Sequence, residues 1–196
     1  MARETSVVTP QRFSEGLSYA EFIAQAKVNK QRFETFYHDF KVSAADTEAL
    51  RRLTQQPNGP TRLLVLGEDW CGDVVRGLPV LARMAEAAGW ELRVFPRDQH
   101  QDIMNEFLKN GQWMSIPTAV FYTSDHRYIT HWIERPKVAE RETAEIEAAI
   151  RAENPGINDQ DFGRERRART GARAADWQQG TVEELIRVLN EEISRT

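Results

Sequence analysis

Apolar positions fall along this chain in two rhythms. Up to about residue 57, Phe22, Ile23, Ala26, Phe33, Phe36, Tyr37 and Phe40 recur close to the helical period and predict helices sharing one apolar stripe. Ser18 and Glu21 form an S-x-x-E capping box, in which a hydroxyl and a carboxylate satisfy free amides at a helix start. A second capped start falls at Ser43, and QQPNGP (55–60) ends the region with turn residues.

The rhythm then changes. TRLLVLG (61–67) is a short apolar run between Pro60 and Gly67 and predicts a buried strand. Beyond EDWCGD (68–73), Val75, Leu78, Leu81, Ala82 and Ala85 share a helical face that Gly89 closes. ELRVFP (91–96) predicts a second strand, and Asp98 with Gln101 is expected to cap a helix over QHQDIMNEFLKN (99–110). A helix between two strands implies a parallel pair, because the crossover needs about a dozen residues. TAVFYT (118–123) and YITHWIE (128–134), flanking SDHR, predict an antiparallel hairpin.

A polar helix is expected over 137–152, then a linker at ENPGINDQDFG (153–163) and a solvated basic arm at RERRARTGAR (164–173). Thr181 and Glu184 are expected to cap a final helix, whose Val182, Leu185, Ile186, Leu189 and Ile193 form a clean stripe. Such a helix cannot stand alone in water, so its stripe must bury on its own domain or on a partner subunit, and a homodimer through this arm is one expectation. The organisation expected is a helical extension (1–58), an α/β core (59–152), and a linker with a C-terminal amphipathic helix (153–196).

Composition narrows the functions. With 196 residues, 40% of them hydrophobic, the chain can bury one substantial core with extensions. A formal charge of −4 argues against a general nucleic-acid or anionic-membrane binder. The aromatic stripe lacks the interleaved basic residues of a base-stacking surface and suits core packing. MARETSVVTPQRFSEG (1–16) has no apolar leader core, and no window approaches the ~20 apolar residues of a membrane span. One cysteine excludes an internal disulfide framework, and a reducing cytoplasm is the expected setting.

That cysteine lies in EDWCGDVV (68–75), at a strand-to-helix turn. Pro79 follows eight residues later inside the helix, and SIPT (115–118) precedes the hairpin. Together these residues resemble the thioredoxin superfamily over roughly residues 60–135. The resemblance implies a thioredoxin-like three-layer α/β sandwich with a mixed four-stranded sheet, a bend at Pro79, and a cis Ile116–Pro117 bond facing a reactive Cys71. It also implies that Trp70, Gly72, Asp73, Ile116 and Pro117 form the substrate groove, Ile116 pairing through its backbone. The helical front, EDWCGDVV and FPRD (95–98) further resemble a set of bacterial thioredoxin-family proteins whose motif more often keeps a second cysteine.

The departures are chemical. Asp73 and Val74 stand where the family has proline and the second cysteine, and Val65 where thioredoxins carry a buried carboxylate. Thiol–disulfide exchange passes through a mixed disulfide that a second thiol resolves. One chain with one cysteine therefore cannot complete a dithiol cycle. A monothiol cycle on a protein or small-thiol disulfide, with a low-molecular-weight thiol as co-substrate and no other cofactor, is open. Monothiol glutaredoxins, whose motif also begins Cys-Gly, are the resemblance for it. A redox-inactive peptide-binding module, a subunit-association role for the C-terminal arm, and a Cys71 that is merely a small buried hydrophobe are the alternatives.

The helix start favours the thiolate by about 0.3–1 kcal/mol, whereas Glu68, Asp69 and Asp73 oppose it, and Arg76 is the nearest cation in sequence. Cys71 is thus expected to titrate no lower than about 7. His38, His100, His126 and His131 make no metal-ligand spacing with Cys71.

Overall fold

In the computed structural model, residues 6–195 are described. The first five residues, with which the expected helical front and the N-terminal reading begin, lie outside them.

Four strands form one mixed sheet in the order β2-β1-β3-β4. β1 (Arg62–Gly67) pairs in parallel with β2 (Glu91–Pro96) and antiparallel with β3 (Thr118–Tyr122), which turns back on β4 (Tyr128–Ile133). Every residue of β1 after Arg62 is buried, as a strand covered on both faces requires. The register puts Leu63, Val65, Ala119, Phe121 and Trp132 on one face and Leu64, Leu66, Phe95 and Val120 on the other.

The helix after β1 (Gly72–Ala88) and the last helix (Ala174–Ile193) pack with the helices Lys30–Asp39 and Ala44–Thr54 on the first face. There the Trp132 indole donates to Glu184 at 2.8 Å. Phe13, Ile103, Met104 and Phe107 cover the second face, with ring contacts from Phe13 to Tyr122 and from Phe107 to His131. The result is an α/β sandwich with helical extensions at both ends.

The N-terminal stripe is cut in two. Ser18 does cap Tyr19–Gln25 with Glu21 in a complete capping box, but that helix stops at Ala26 and a new one starts after Asn29, which is left-handed (φ 59°). Ser43 caps the next helix through the Asp46 amide. A short helix, Pro10–Ser14, precedes them all, with Thr9 as its cap. Between these helices Leu17 exchanges two backbone hydrogen bonds with Val94, 2.9 and 2.7 Å, on the outer edge of β2. Gly16 permits this approach, since an added Cβ would stand 2.4 Å from the Phe95 ring and 2.8 Å from the Arg93 Cβ.

Three local expectations change. Asp98 caps no helix: its carboxylate takes the Arg97 guanidinium, a 3-10 turn covers Arg97–Gln99, and only Gln101–Met104 is α-helical. The basic arm is not solvated coil. It forms a helix over Asp159–Ala172, capped by Asn158 and clasped to the Lys137–Glu153 helix by Arg166–Glu147 and Arg169–Glu153 pairs, both 2.5 Å. Its arginines meet the acidic face of a helix that local sequence windows treat separately.

Thr181 is no cap either. The last helix starts at Ala174, so Thr181 lies inside it, its hydroxyl donating to the Trp177 carbonyl at 2.9 Å. Glu184 instead accepts from Trp132 and from the Lys137 amide. The stripe of Val182, Leu185, Leu189 and Ile193 is buried in the chain's own core. Among the described residues no helix is long and apolar enough to cross a membrane.

Candidate functional site

The carboxyl end of β1 and the start of the following helix bring the motif together. Cys71 is the residue before the first helical turn, half-buried, and its sulfur donates to the Ile116 carbonyl at 3.6 Å. The Ile116–Pro117 peptide bond is cis. Pro117 lies against the helix at Gly77, where an added Cβ would stand 3.3 Å from the proline ring. Gly72 opens the helix beside free space, and Trp70 projects outward with 53% of its surface exposed. Val74 is fully buried, and Val65 is buried within β1 with no charge to offer.

Asp73 is the most heavily engaged of the predicted residues. Arg76 and Arg135 each reach its carboxylate at 2.6 Å, and all three side chains are at least four-fifths covered. Arg135 follows Glu134, a non-glycine residue in the left-handed region (φ 75°) whose amide donates to the Pro117 carbonyl at 2.7 Å. A conformation of that kind costs on the order of 1–3 kcal/mol and persists only where its surroundings hold it. Here it aims Arg135 back at the motif. A small cavity of about 20 Å³ adjoins the three charges, walled by Trp132, Trp177, Gln178 and Thr181.

The other two motif acids are tied to other parts of the chain. Asp69 accepts the amides of Lys27 and Val28 at 2.6 and 3.2 Å, and Asn29 Nδ2 returns to the Asp69 carbonyl at 2.9 Å. Glu68 accepts the Asp98 amide at 2.7 Å, and burial pushes its carboxyl up. Burial also pushes the Cys71 thiol up. The Val74 and Asp73 amides oppose that, Asp73 adds to it, and Arg135 offsets it in part. The helix start is outweighed by desolvation, so the thiol is not strongly activated.

Sequence reasoning missed Arg135 and Arg97. Arg135 stands far along the chain from Asp73 with no motif around it. Arg97 belongs to FPRD, which marks it only by resemblance. Its guanidinium lies 5.1 Å from the Trp70 ring centroid and donates to the Met114 carbonyl at 3.1 Å. A groove of about 510 Å³ runs from Trp70 and Pro96 past Gln99 and Lys27 to Leu17 and Phe22. Among the described residues no group of three or more His, Cys, Asp or Glu is placed to hold a metal ion.

A strand, a tight turn bearing Trp-Cys-Gly, a helix containing proline, and a proline segment beside the sulfur define a thioredoxin-fold protein. The chain belongs to a thioredoxin family, whose model matches residues 16–155. Among solved structures it is similar to a protein of unknown function from Pseudomonas aeruginosa, with 18% identity, a TM-score of 0.68, and 94% of this chain and 99% of that one covered. It is also similar to an HIV epitope-scaffold at 18% identity and a TM-score of 0.65, with 95% and 99% covered. Comparison with curated proteins finds no match.

Proposed function

We propose that this protein is a monothiol thiol–disulfide exchange protein working through Cys71. The observation that supports the reading is the placement of one half-buried sulfur at a helix start, 3.6 Å from the Ile116 carbonyl, with Val74 in the second-cysteine position.

The Cys71 thiol loses its proton, and the thiolate attacks one sulfur of a substrate disulfide. A Cys71–substrate disulfide forms, the substrate bond breaks, and the departing thiolate takes up a proton. An external low-molecular-weight thiol then attacks the mixed disulfide as its thiolate. It forms a disulfide with the held group and returns Cys71 reduced, so the electrons come from that thiol. The setting that suits such a cycle is a reducing cytoplasm, where small thiols are abundant. Trp70, Gly72, Asp73 and the Ile116–Pro117 segment line the approach to the sulfur, and an extended substrate pairs with the backbone at Ile116.

The test is intact mass after incubation with oxidised glutathione, followed by reduced glutathione. One adduct on the wild type, none on Cys71→Ser, and release on adding thiol support the cycle. No adduct at any pH up to 9 leaves the groove as a redox-inactive peptide-binding module.

A further inference from the structure

We propose that Arg97 is a positioning residue that fixes both walls of the Cys71 cleft, and so governs its reaction with polypeptide disulfides; this rests on the monothiol reading above. Trp70 immediately precedes the cysteine, and the segment Met114–Ile116 ends at the carbonyl the sulfur contacts. The two walls come from different parts of the chain. One guanidinium joins them, lying over the Trp70 indole at 5.1 Å and donating through Nη1 to the Met114 carbonyl at 3.1 Å.

Arg97 is itself held. Nε and Nη2 both donate to Asp98 Oδ1, at 2.9 and 2.6 Å, and the Asp98 amide donates to Glu68 at the end of β1. The guanidinium is thus anchored to the turn after β1 that carries the motif. Its side chain is only 19% exposed, although Trp70 and Met114, which it touches, are among the exposed large apolar residues of the described chain. A planar cation with a fork of donors can stack on a ring, clamp a carboxylate and reach a carbonyl together, whereas a lysine has one compact ammonium for all three.

A small reagent needs only the sulfur. A disulfide carried on a polypeptide must also lie between Trp70 and the Met114 segment, and it loses rate when those walls are free to move.

The experiment compares the second-order rates of Cys71 in the wild type, Arg97→Met and Arg97→Lys toward two probes: iodoacetamide, and a glutathionylated cysteine peptide with apolar flanking residues. Arg97→Met is expected to lose about tenfold toward the peptide disulfide, with the iodoacetamide rate within about twofold of wild type. Arg97→Lys is expected to lie between, and it carries the comparison by itself should the methionine variant fail to fold. Peptide rates equal to wild type in both variants would overturn the role. So would an equal fall toward both probes, which would place Arg97 on the thiol and not on the walls. A wild type that alkylates but reacts with no disulfide sinks the monothiol reading, and the role of Arg97 with it. A wild type that reacts, matched by its Arg97 variants, sinks only the latter.

Discussion

The carboxylate of Asp69 accepts the Lys27 amide at 2.6 Å, joining the loop that carries Cys71 to the gap between two N-terminal helices. Val28 supplies a second amide, and the Asn29 side chain returns a bond to the Asp69 carbonyl. The acid two residues before the cysteine is a fastener for the helical extension, with its charge spent on backbone N–H groups.

Asp69→Ala leaves those amides without their acceptor and is expected to cost about 1.5–3 kcal/mol, the range for a hydrogen bond to a charged group. Urea unfolding followed by far-UV circular dichroism gives the number. A midpoint unchanged from wild type would show that water replaces the carboxylate freely.

Cys71 is held above its ordinary range by burial and by Asp73. Its alkylation rate is therefore expected to keep rising beyond pH 8.5, about where a free thiol is half ionised. Removing a neighbouring negative charge stabilises the thiolate, so Asp73→Asn is expected to react faster than wild type at pH 8. Removing the opposing cation acts the other way, and Arg135→Met is expected to react more slowly. A rate–pH midpoint below 6 would contradict this balance.

His126 gives the fold an acid sensitivity. Its Nε2 donates to the Val8 carbonyl at 2.8 Å, Nδ1 is buried without a partner, and burial pushes the imidazole down, with Arg62 adding to the shift. The folded-state pKa thus lies below the unfolded one, near 6.5. Between the two values the unfolded chain binds the extra proton, so this residue's contribution falls as pH drops below about 6.5. Thermal unfolding at pH 7 and pH 5 is expected to show a smaller acid-induced loss in His126→Gln than in wild type.

Gly16→Ala pushes a methyl group into the Phe95 ring and the Arg93 side chain. Overpacking of this kind costs about 1–3 kcal/mol. Calorimetry is expected to show a lower unfolding temperature, and a change to serine should act in the same direction.

Much of this architecture was legible because it is written in short-range pattern. The run Leu63–Leu66, the helical face from Val75 to Ala85 and the hairpin around SDHR each fall within a window that one element spans, and each forms where expected. The errors lie where a distant element decides. Thr181 and Glu184 have a cap's spacing, but packing of Trp177 and Ala174 carries the helix back past them. The arginines from Arg164 to Arg173 read as a free arm until Glu142, Glu147 and Glu153 are set opposite them. At the site, Cys71, Trp70 and the Ile116–Pro117 segment were marked by resemblance. The partners of Asp73, Asp69 and Trp70 were invisible, since Arg135, Lys27 and Arg97 reach them only through the fold.

The Leu17–Val94 exchange makes one amide a built-in reporter. The Val94 hydrogen points outward from the margin of the sheet, where solvent would otherwise reach it, and its acceptor belongs to the segment just ahead of Ser18. Its deuterium uptake therefore times how often the front of the molecule lets go, and a slow Val94 would mean that the extension breathes only with the sheet it leans on.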